Sequence, residues 1–200
     1  MLSSLFSKAR DKAKALKKSL RTSVRKITGG SDYQRWSNEK QLSPNWNART
    51  ERIATLIEPG ASVIEFGAGR MVLKRLLPEN CAYTPSDLVD RGNGTIVCDL
   101  NSYALPPFPP HDVAVLSGVL DYVNNVPRLV SHLSNYAGVV IASYAVTEFH
   151  KKNRRRHGWV NDFSSADILQ IFESAGFSCD YSEVWRRQII YRFTKRLHAS

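Results

Sequence analysis

The sequence predicts an α/β fold in which helices cover a mostly parallel sheet. After residue 61, short apolar runs rich in β-branched residues alternate with stretches of helical periodicity, which is typical of such a sheet. The chain then ends in two strand-like runs, at 177–184 and 188–193, on either side of a short polar turn. These two runs predict an antiparallel hairpin at one edge of the sheet.

The composition is that of one folded domain. The chain has 200 residues, of which 42% are hydrophobic and 23% are charged, enough for a single sizeable core. The longest apolar run, around 139–146, is far shorter than the roughly 20 residues that a membrane-spanning helix needs. The sequence therefore predicts no transmembrane segment.

Each element is predicted from its local pattern. Short buried runs predict strands, which lie at 62–66, 82–86, 95–97, 113–117 and 139–144. Apolar residues three and four apart predict helices, which lie at 71–77, 126–136 and 164–175. The chain is thereby divided into three segments. They are a basic amphipathic helix at 1–30, lead-in or lid helices at 31–60 and the α/β domain at 61–196.

Positive charge is concentrated in the first segment. The net charge is +10, but nine of the 28 Lys and Arg side chains lie in residues 1–30, together with only one acid, Asp11. The rest of the chain is close to neutral, so it lacks the broad basic face on which nucleic-acid affinity usually rests. Nucleic acid is therefore not the partner that the charge pattern favours.

The basic segment has the period of an amphipathic helix. Apolar residues recur three or four apart between the cations, and Gly29-Gly30 marks the end. Such a helix can lie in the headgroup region of an anionic membrane, where each cation adds about 1 kcal/mol. A mitochondrial transit peptide and a helix that is solvated or docked on the core are the alternatives. The predicted location is the cytoplasm, including its membrane surfaces, with mitochondria as the alternative.

The three cysteines, Cys81, Cys98 and Cys179, are predicted to be free thiols. Their number is odd and no CxxC pair occurs, which disfavours both a disulfide scaffold and a zinc ribbon. They indicate a reducing compartment, and the sequence predicts no metal site.

The most informative motif joins a predicted strand to a glycine turn. Residues 63–70 are VIEFGAGR, and Gly67 and Gly69 allow backbone to approach a ligand closely. Asp87 ends the next strand, where a carboxylate can accept both hydroxyls of a ribose. Val72 stands where a dinucleotide fingerprint needs a third glycine, so this motif disfavours NAD.

The order of these residues resembles that of the class I S-adenosylmethionine-dependent methyltransferases, over about residues 61–195. That family carries an acid and a glycine pair after its first strand and an acid after each of the next two, where this chain has Glu65 with the glycines, Asp87 and Asp99. The resemblance implies a Rossmann-like doubly wound sheet with a C-terminal antiparallel hairpin and S-adenosyl-L-methionine as the cofactor. The implied cofactor-binding residues are Glu65, Gly67, Ala68, Gly69, Asp87, Leu88, Asp99, Leu100, Ser117 and Gly118.

The resemblance also implies a role for each group. The glycine loop would face the methionine moiety, Asp87 the ribose, and Asp99 with Leu100 the adenine. Residues 117–120, after the fourth strand, would line the transfer region. One departure is the connection at 88–94, which is too short for the usual crossover helix.

Missing motifs narrow the acceptor. Residues 117–120 are SGVL rather than the Asn/Asp-Pro-Pro-aromatic tetrad of amino-directed adenine methyltransferases. The chain has no Pro-Cys pair, which carbon-directed pyrimidine enzymes need, and residues 143–145 are SYA where metal-dependent catechol enzymes carry Asp-Asn. With these three classes disfavoured, the sequence predicts metal-free methyl transfer to an oxygen or nitrogen of a small or sugar-like acceptor.

A basic and aromatic segment, 148–162, follows the fifth strand, where such folds build the acceptor pocket. Its cations could hold phosphate or uronate groups, and Trp159 offers a flat face to a sugar ring. The predicted substrate-binding residues are Tyr144, Arg154, Arg155 and Trp159. The structural alternative is a solvated basic loop whose Trp159 packs on the core.

A histidine of this segment is the predicted catalytic base, because its ordinary pKa lies near neutral pH. We favour His157, since Gly158 beside it lets the backbone turn inward. His150 and Asp121 are the other two candidates.

Together these features predict methyl transfer to a hydroxyl of a sugar, glycan or other small acceptor near a membrane surface. One alternative is a non-catalytic module that keeps the fold and binds a membrane or a protein partner, and cofactor turnover distinguishes it. A further alternative is an RNA methyltransferase, which the basic loop allows.

Overall fold

A seven-stranded sheet forms the centre of the computed structural model, which describes residues 2–196, without the side chains of residues 2–6 and 8. The strands are β1 (Ser62–Phe66), β2 (Ala82–Asp87), β3 (Ile96–Val97), β4 (His111–Ser117), β5 (Ala137–Tyr144), β6 (Phe177–Trp185) and β7 (Gln188–Lys195). Their order in space is β3-β2-β1-β4-β5-β7-β6. The first five are parallel and β7 is antiparallel to β5 and β6, which confirms the predicted Rossmann-like sheet and C-terminal hairpin.

The register brings several strand ends to one edge of the sheet. Phe66 of β1 lies opposite Ser86 of β2, and Asp87 lies opposite Val97 of β3. On the other side of β1, Glu65 lies opposite Val115 of β4. Because these strands are parallel, the loops that follow them gather at their carboxyl ends.

The helices are held by local capping as well as by packing. They are α1 (Leu2–Thr28), α2 (Tyr33–Trp36), α3 (Asn47–Ala54), α4 (Val126–Leu133), α5 (Arg154–His157) and α6 (Ser165–Ser174). The Asn125 side chain caps α4, and Ser164 and Asp167 form a reciprocal capping box at the start of α6.

Two apolar clusters cover the two faces of the sheet. Leu116 packs with Phe172 on one face, and Val115 packs with Ile53 of α3 on the other, and all four are fully buried. Neighbouring residues of β4 point to opposite faces and both faces are covered. The central strands are therefore continuous apolar runs rather than alternating ones.

The helix predicted at 71–77 is wrong. The segment forms a turn and a short 3-10 helix, Leu73–Arg75. Met71 has a φ of 51°, in the left-handed region that interrupts a right-handed helix at its first residue. Met71 and Leu73 are nevertheless buried, so the apolar pattern reflects core packing without a full helix.

The first helix lies on the rest of the protein by its polar face. Thr22 is fully buried, Arg25 pairs with Asp32 at 2.9 Å, and Lys26 pairs with Asp162 at 3.3 Å. The helix also contacts α5. Its docked face is therefore made of small and polar side chains.

The apolar side of α1 faces solvent. We call Leu16, Leu20, Val24 and Ile27 the exposed stripe, and their exposed fractions lie between 56% and 85%. A helix that stabilises a core turns such a stripe inward, and α1 does the opposite. Within residues 2–196, no helix is both long and apolar enough to cross a bilayer.

Candidate functional site

A cavity of about 360 Å³ opens at the carboxyl ends of β1, β2 and β4. Its lining includes all ten residues that the family resemblance assigns to the cofactor. The lining also includes Asp121, His157 and Trp159 from the predicted acceptor side. One continuous space therefore joins the two halves of the predicted site.

The glycine loop after β1 has a backbone conformation that disfavours larger residues. Gly67 and Gly69 have φ values of 69° and 51°, which side chains rarely adopt. A Cβ on Gly67 would lie 2.7 Å from Val119 Cγ2. The Gly69 amide donates to Asp87 Oδ2 at 2.8 Å, so the loop is fastened to the end of β2. This backbone cradle fits close approach of a ligand.

Glu65 is buried at the end of β1. The Tyr83 hydroxyl donates to its Oε2 at 2.5 Å. Burial raises the pKa of Glu65 to about 8, although the Tyr83 hydrogen bond acts in the opposite direction. A positively charged ligand in the cavity would favour the ionised carboxylate, because an opposite charge lowers a carboxyl pKa.

Asp87 connects the glycine loop to the N-terminal segment. Its carboxylate pairs with Arg91, with 3.4 Å between Oδ2 and Nε, and both side chains are buried. Arg91 also donates to the carbonyl oxygen of Trp36. The Asp87 carboxylate thus lies between a backbone amide and a guanidinium, which fix its position at the cavity wall.

Asp99 is fastened in a similar way after β3. Its Oδ1 accepts from the Ser31 hydroxyl at 2.6 Å and from the Asn101 amide at 2.9 Å. The second bond forms an Asx turn. Ser31 and Asn101 both line the cavity next to Leu100, so this wall too receives a contribution from the segment before β1.

Arg49 of α3 is a cavity residue that the sequence reasoning missed. It is buried, and its Nε donates to Ser117 Oγ at 3.0 Å while Nη1 donates to Gln188 Oε1 at 2.9 Å. A Cβ on Gly118 would lie 2.5 Å from Nη1. Burial lowers the pKa of Arg49, and its hydrogen-bond partners are neutral. A buried guanidinium of this kind suits an anionic group of a ligand.

His157 and Trp159 lie together on the acceptor side of the cavity. Their rings are stacked, with centroids 4.6 Å apart and an interplanar angle of 26°. Burial lowers the pKa of His157, and the neighbouring Lys18 lowers it further. The lowered pKa favours the neutral imidazole, which can accept a proton.

Asp121 lines the same cavity but is itself fully enclosed. Burial raises its pKa to about 7, against the effect of Arg154, whose Nη2 is 3.6 Å from Oδ1. No hydrogen-bond donor reaches Oδ1 within residues 2–196. Asp121 thus combines a fixed position with a pKa in the neutral range.

Four other predicted residues do not line the cavity. His150 faces a separate outer pocket that it shares with His157, and its ring meets Trp159 edge-on at 4.9 Å. Arg154 is buried against Asp121 and Asp162, and its Nε donates to the Asn161 carbonyl at 3.0 Å.

Tyr144 and Arg155 also have internal partners. The Tyr144 hydroxyl donates to Asn161 Oδ1 at 2.5 Å, and Arg155 pairs with Asp162. These contacts hold the loop after β5 in shape.

The lead-in segment supplies aromatic residues and further cations. Trp36 meets Tyr122 edge-on with ring centroids 4.8 Å apart, and the Arg35 guanidinium lies 4.2 Å from the Trp36 ring centroid. Trp46 and Lys18 line the same space. Trp36 and Trp46, in the segment before the glycine motif, are the sequence feature that could have indicated an aromatic wall here.

The three cysteines form no disulfide in the described part of the chain. Cys81, Cys98 and Cys179 are free thiols. In the part of the chain that the structure describes, no group of three or more His, Cys, Asp and Glu side chains is arranged to hold a metal ion.

Known structures with the same fold include three methyltransferases. The Burkholderia thailandensis 1,6-didemethyltoxoflavin-N1-methyltransferase, solved with 1,6-didemethyltoxoflavin and S-adenosylhomocysteine, has a TM-score of 0.60, 16% identity and coverage of 94% of this chain and 90% of that one. The O-methyltransferase NcsB1 of neocarzinostatin biosynthesis was solved with S-adenosylmethionine and 2-hydroxy-5-methyl naphthoic acid. It has a TM-score of 0.62, 17% identity and coverage of 92% of this chain and 70% of that one. Human N-acetylserotonin methyltransferase, solved with S-adenosylmethionine, has a TM-score of 0.65, 14% identity and coverage of 82% of this chain and 58% of that one.

Sequence comparison identifies the family. No curated protein sequence matches this chain. A sequence profile described as a methyltransferase domain matches residues 38–182, which is more than half of the chain. That span contains the sheet edge, the glycine loop and most of the cavity wall. The protein therefore belongs to the methyltransferase-domain family, and its cofactor is S-adenosylmethionine.

Proposed function

We propose that the protein methylates a hydroxyl of a sugar, glycan or other small acceptor at an anionic membrane surface. The observation that carries this proposal is the single cavity in which the glycine loop and the pair His157–Trp159 face the same space. The exposed stripe of α1 supports the membrane part of the proposal.

The cofactor half has a residue suited to each part of S-adenosylmethionine, which supplies a methyl group bound to a cationic sulfur. Asp87 suits the ribose hydroxyls and Asp99 the adenine side. Arg49 suits the carboxylate of the amino-acid end, because its own protein partners are neutral. The ionised form of Glu65 complements the positive charge of the cofactor.

The acceptor half supports transfer to a hydroxyl. A hydroxyl must lose its proton as the new bond forms, and a positioned base accelerates such a step by about 10²–10⁴-fold. Partial burial and nearby cations lower the pKa of His157, which favours the neutral form that can act as a base. Stacking on Trp159 limits the rotation of its ring. We assign proton removal to His157, with Asp121 as the alternative base.

An anionic membrane suits both the charge and the shape of α1. The exposed stripe can enter the headgroup region, while Lys17 and Arg21 are exposed beside it. Each such cation contributes about 1 kcal/mol near an anionic surface. The docked polar face keeps the helix attached to the enzyme body during this contact.

Vesicle binding tests the membrane part. Replacing Leu20 and Val24 together by serine should weaken binding to anionic vesicles at least about tenfold, because burial of each apolar side chain contributes roughly 1–3 kcal/mol. Sedimentation with vesicles measures the effect, and raised salt should release the parent protein.

The matched control replaces two exposed apolar residues elsewhere. Leu169 and Val184 are 38% and 62% exposed, on α6 and β6. The serine variant at these two positions should bind vesicles like the parent. Equal binding by the parent and by the variant at Leu20 and Val24 would reject membrane attachment through α1.

Labelled methyl transfer tests the acceptor class. The protein is incubated with S-adenosylmethionine carrying a tritiated methyl group and with separate lipid, small-molecule and RNA fractions of a cell extract. We expect alkali-stable label in the lipid or small-molecule fraction, since an ether resists base. Label in RNA would favour the RNA methyltransferase alternative. Binding of S-adenosylhomocysteine without any transfer would favour the non-catalytic module.

A further inference from the structure

We infer that Lys18 and Arg35 form a subsite for a phosphate group of the acceptor, at the cavity wall beside His157. This inference rests on the proposed function and gives its acceptor a chemical class. It also assigns α1 a second role, because Lys18 belongs to the same helix as the exposed stripe.

The two cations come from different helices and face one space. Lys18 lies on α1 and Arg35 on α2, and both line the cavity that His157 and Trp159 line. Lys18 and the buried Thr22 are one helical turn apart, so they share the docked face of α1. Leu16 and Leu20 lie on the other side. The same two turns of helix therefore serve the cavity and the outer surface.

Neither cation forms an ion pair with an acid in the described part of the chain. Among the ion pairs of residues 2–196, Asp32 is held by Arg25 at 2.9 Å and Asp121 by Arg154 at 3.6 Å, and no carboxylate pairs with Lys18 or Arg35. Partial burial and the nearby Arg35 lower the pKa of Lys18, while the Asp32 carboxylate acts in the opposite direction. The cavity wall thus carries concentrated positive charge that a ligand could neutralise.

Arg35 is oriented for this role by neutral contacts. Its Nη1 donates to the His157 carbonyl oxygen at 2.9 Å, and its guanidinium lies 4.2 Å from the Trp36 ring centroid. A Cβ on Gly158 would lie 2.7 Å from Nη1, so the glycine leaves space for this approach. Stacking and one hydrogen bond fix the group and leave other donors for a ligand.

A phosphate group suits this pair because it offers several acceptor oxygens and up to two negative charges. The cations predicted from the sequence for this task, Arg154 and Arg155, are neutralised by Asp121 and Asp162. Lys18 and Arg35 line the cavity beside His157 and, within residues 2–196, form no such ion pair.

Calorimetric titration of glycerol 3-phosphate into the protein saturated with S-adenosylhomocysteine tests the subsite. Lys18→Gln and Arg35→Gln should each weaken phosphate binding at least tenfold. Lys17→Gln, which removes a cation of the same helix that does not line the cavity, should leave phosphate binding within twofold. Unchanged binding in the first two variants, or an equal loss in all three, would overturn the subsite.

The same experiment separates this inference from the proposed function. The affinity for S-adenosylhomocysteine should stay within twofold in all three variants. If the parent protein does not bind S-adenosylhomocysteine, the proposed function itself is overturned. Arg35→Lys keeps the charge and should retain more phosphate affinity than Arg35→Gln, which distinguishes recognition from a folding defect.

Vesicles distinguish the source of the phosphate. If the phosphate is on a lipid, the parent should prefer phosphatidic acid to phosphatidylserine, and Lys18→Gln should lose that preference. If it is on a soluble acceptor, the vesicle preference is absent while glycerol 3-phosphate still binds. Absence of both the preference and the binding would reject a phosphate subsite.

Discussion

Replacing His157 by alanine should lower methyl transfer at least about a hundredfold, which is the size expected for loss of a positioned general base. The affinity for S-adenosylhomocysteine should stay within about twofold, because His157 lies on the acceptor side of the cavity. Initial rates with the labelled cofactor measure the first quantity, and calorimetry measures the second.

The pH profile adds a readout that a merely structural effect would not produce. The pKa of His157 is lowered below its ordinary value of 6.5, so the rate should be constant around neutral pH. It should fall in acid as the imidazole takes up a proton and can no longer act as a base. In the His157→Ala variant the residual rate should lose this acid limb.

His150→Ala is the matched control, since His150 belongs to the same loop but faces the outer pocket. Its rate should stay within about threefold of the parent. If turnover survives in both variants, Asp121 or simple proximity catalysis becomes the better account. Asp121 would place the acid limb near its pKa of about 7, above the limb expected for His157.

Much of the fold could be predicted because each central strand is a short apolar run. The strand predicted at 62–66 has the observed bounds of β1, and the hairpin is found at the edge of the sheet. The cofactor residues were predictable for a related reason. In a parallel sheet, residues that end successive strands meet at one edge, so Glu65 and Asp87 come together although 22 positions separate them.

Local backbone geometry was harder to predict. Periodicity at 71–77 indicated a helix, whereas the left-handed conformation of Met71 produces a turn. An apolar spacing of three and four residues is satisfied by burial in either form, so the pattern alone could not distinguish them.

The charged part of the acceptor side depended on tertiary packing. Arg154 is the clearest case, because its burial depends on Asp121, which follows β4, as well as on Asp162 of its own loop. Arg49 belongs to α3, which contacts β4, and Lys18 belongs to α1, which contacts α5, and neither contact has a local sequence signature. The sequence indicated a surface helix at 1–30, and only the packed structure shows that its inner face lines the cavity.

Replacing Asp87 by alanine should weaken S-adenosylhomocysteine binding at least tenfold. Hydrogen bonds to a charged acceptor contribute about 1.5–3 kcal/mol each, and a ribose offers two hydroxyls to this carboxylate. The variant also loses the contact of Asp87 with the Gly69 amide at 2.8 Å, which shapes the glycine loop. Asp87→Asn keeps an acceptor for that amide, so it separates the ligand contact from loop distortion.

Calorimetry of S-adenosylhomocysteine with the parent, Asp87→Asn, Asp87→Ala and Asp90→Ala is the most direct test of the cofactor site. Asp90 is exposed on the same connection and accepts from the Gly92 amide, so its replacement should leave the affinity within about twofold. Both Asp87 variants should bind more weakly than the parent, alanine at least tenfold so, and NAD should bind to none of the four. Equal affinity in the parent and the Asp87 variants, or binding of NAD, would contradict the assignment of this cavity.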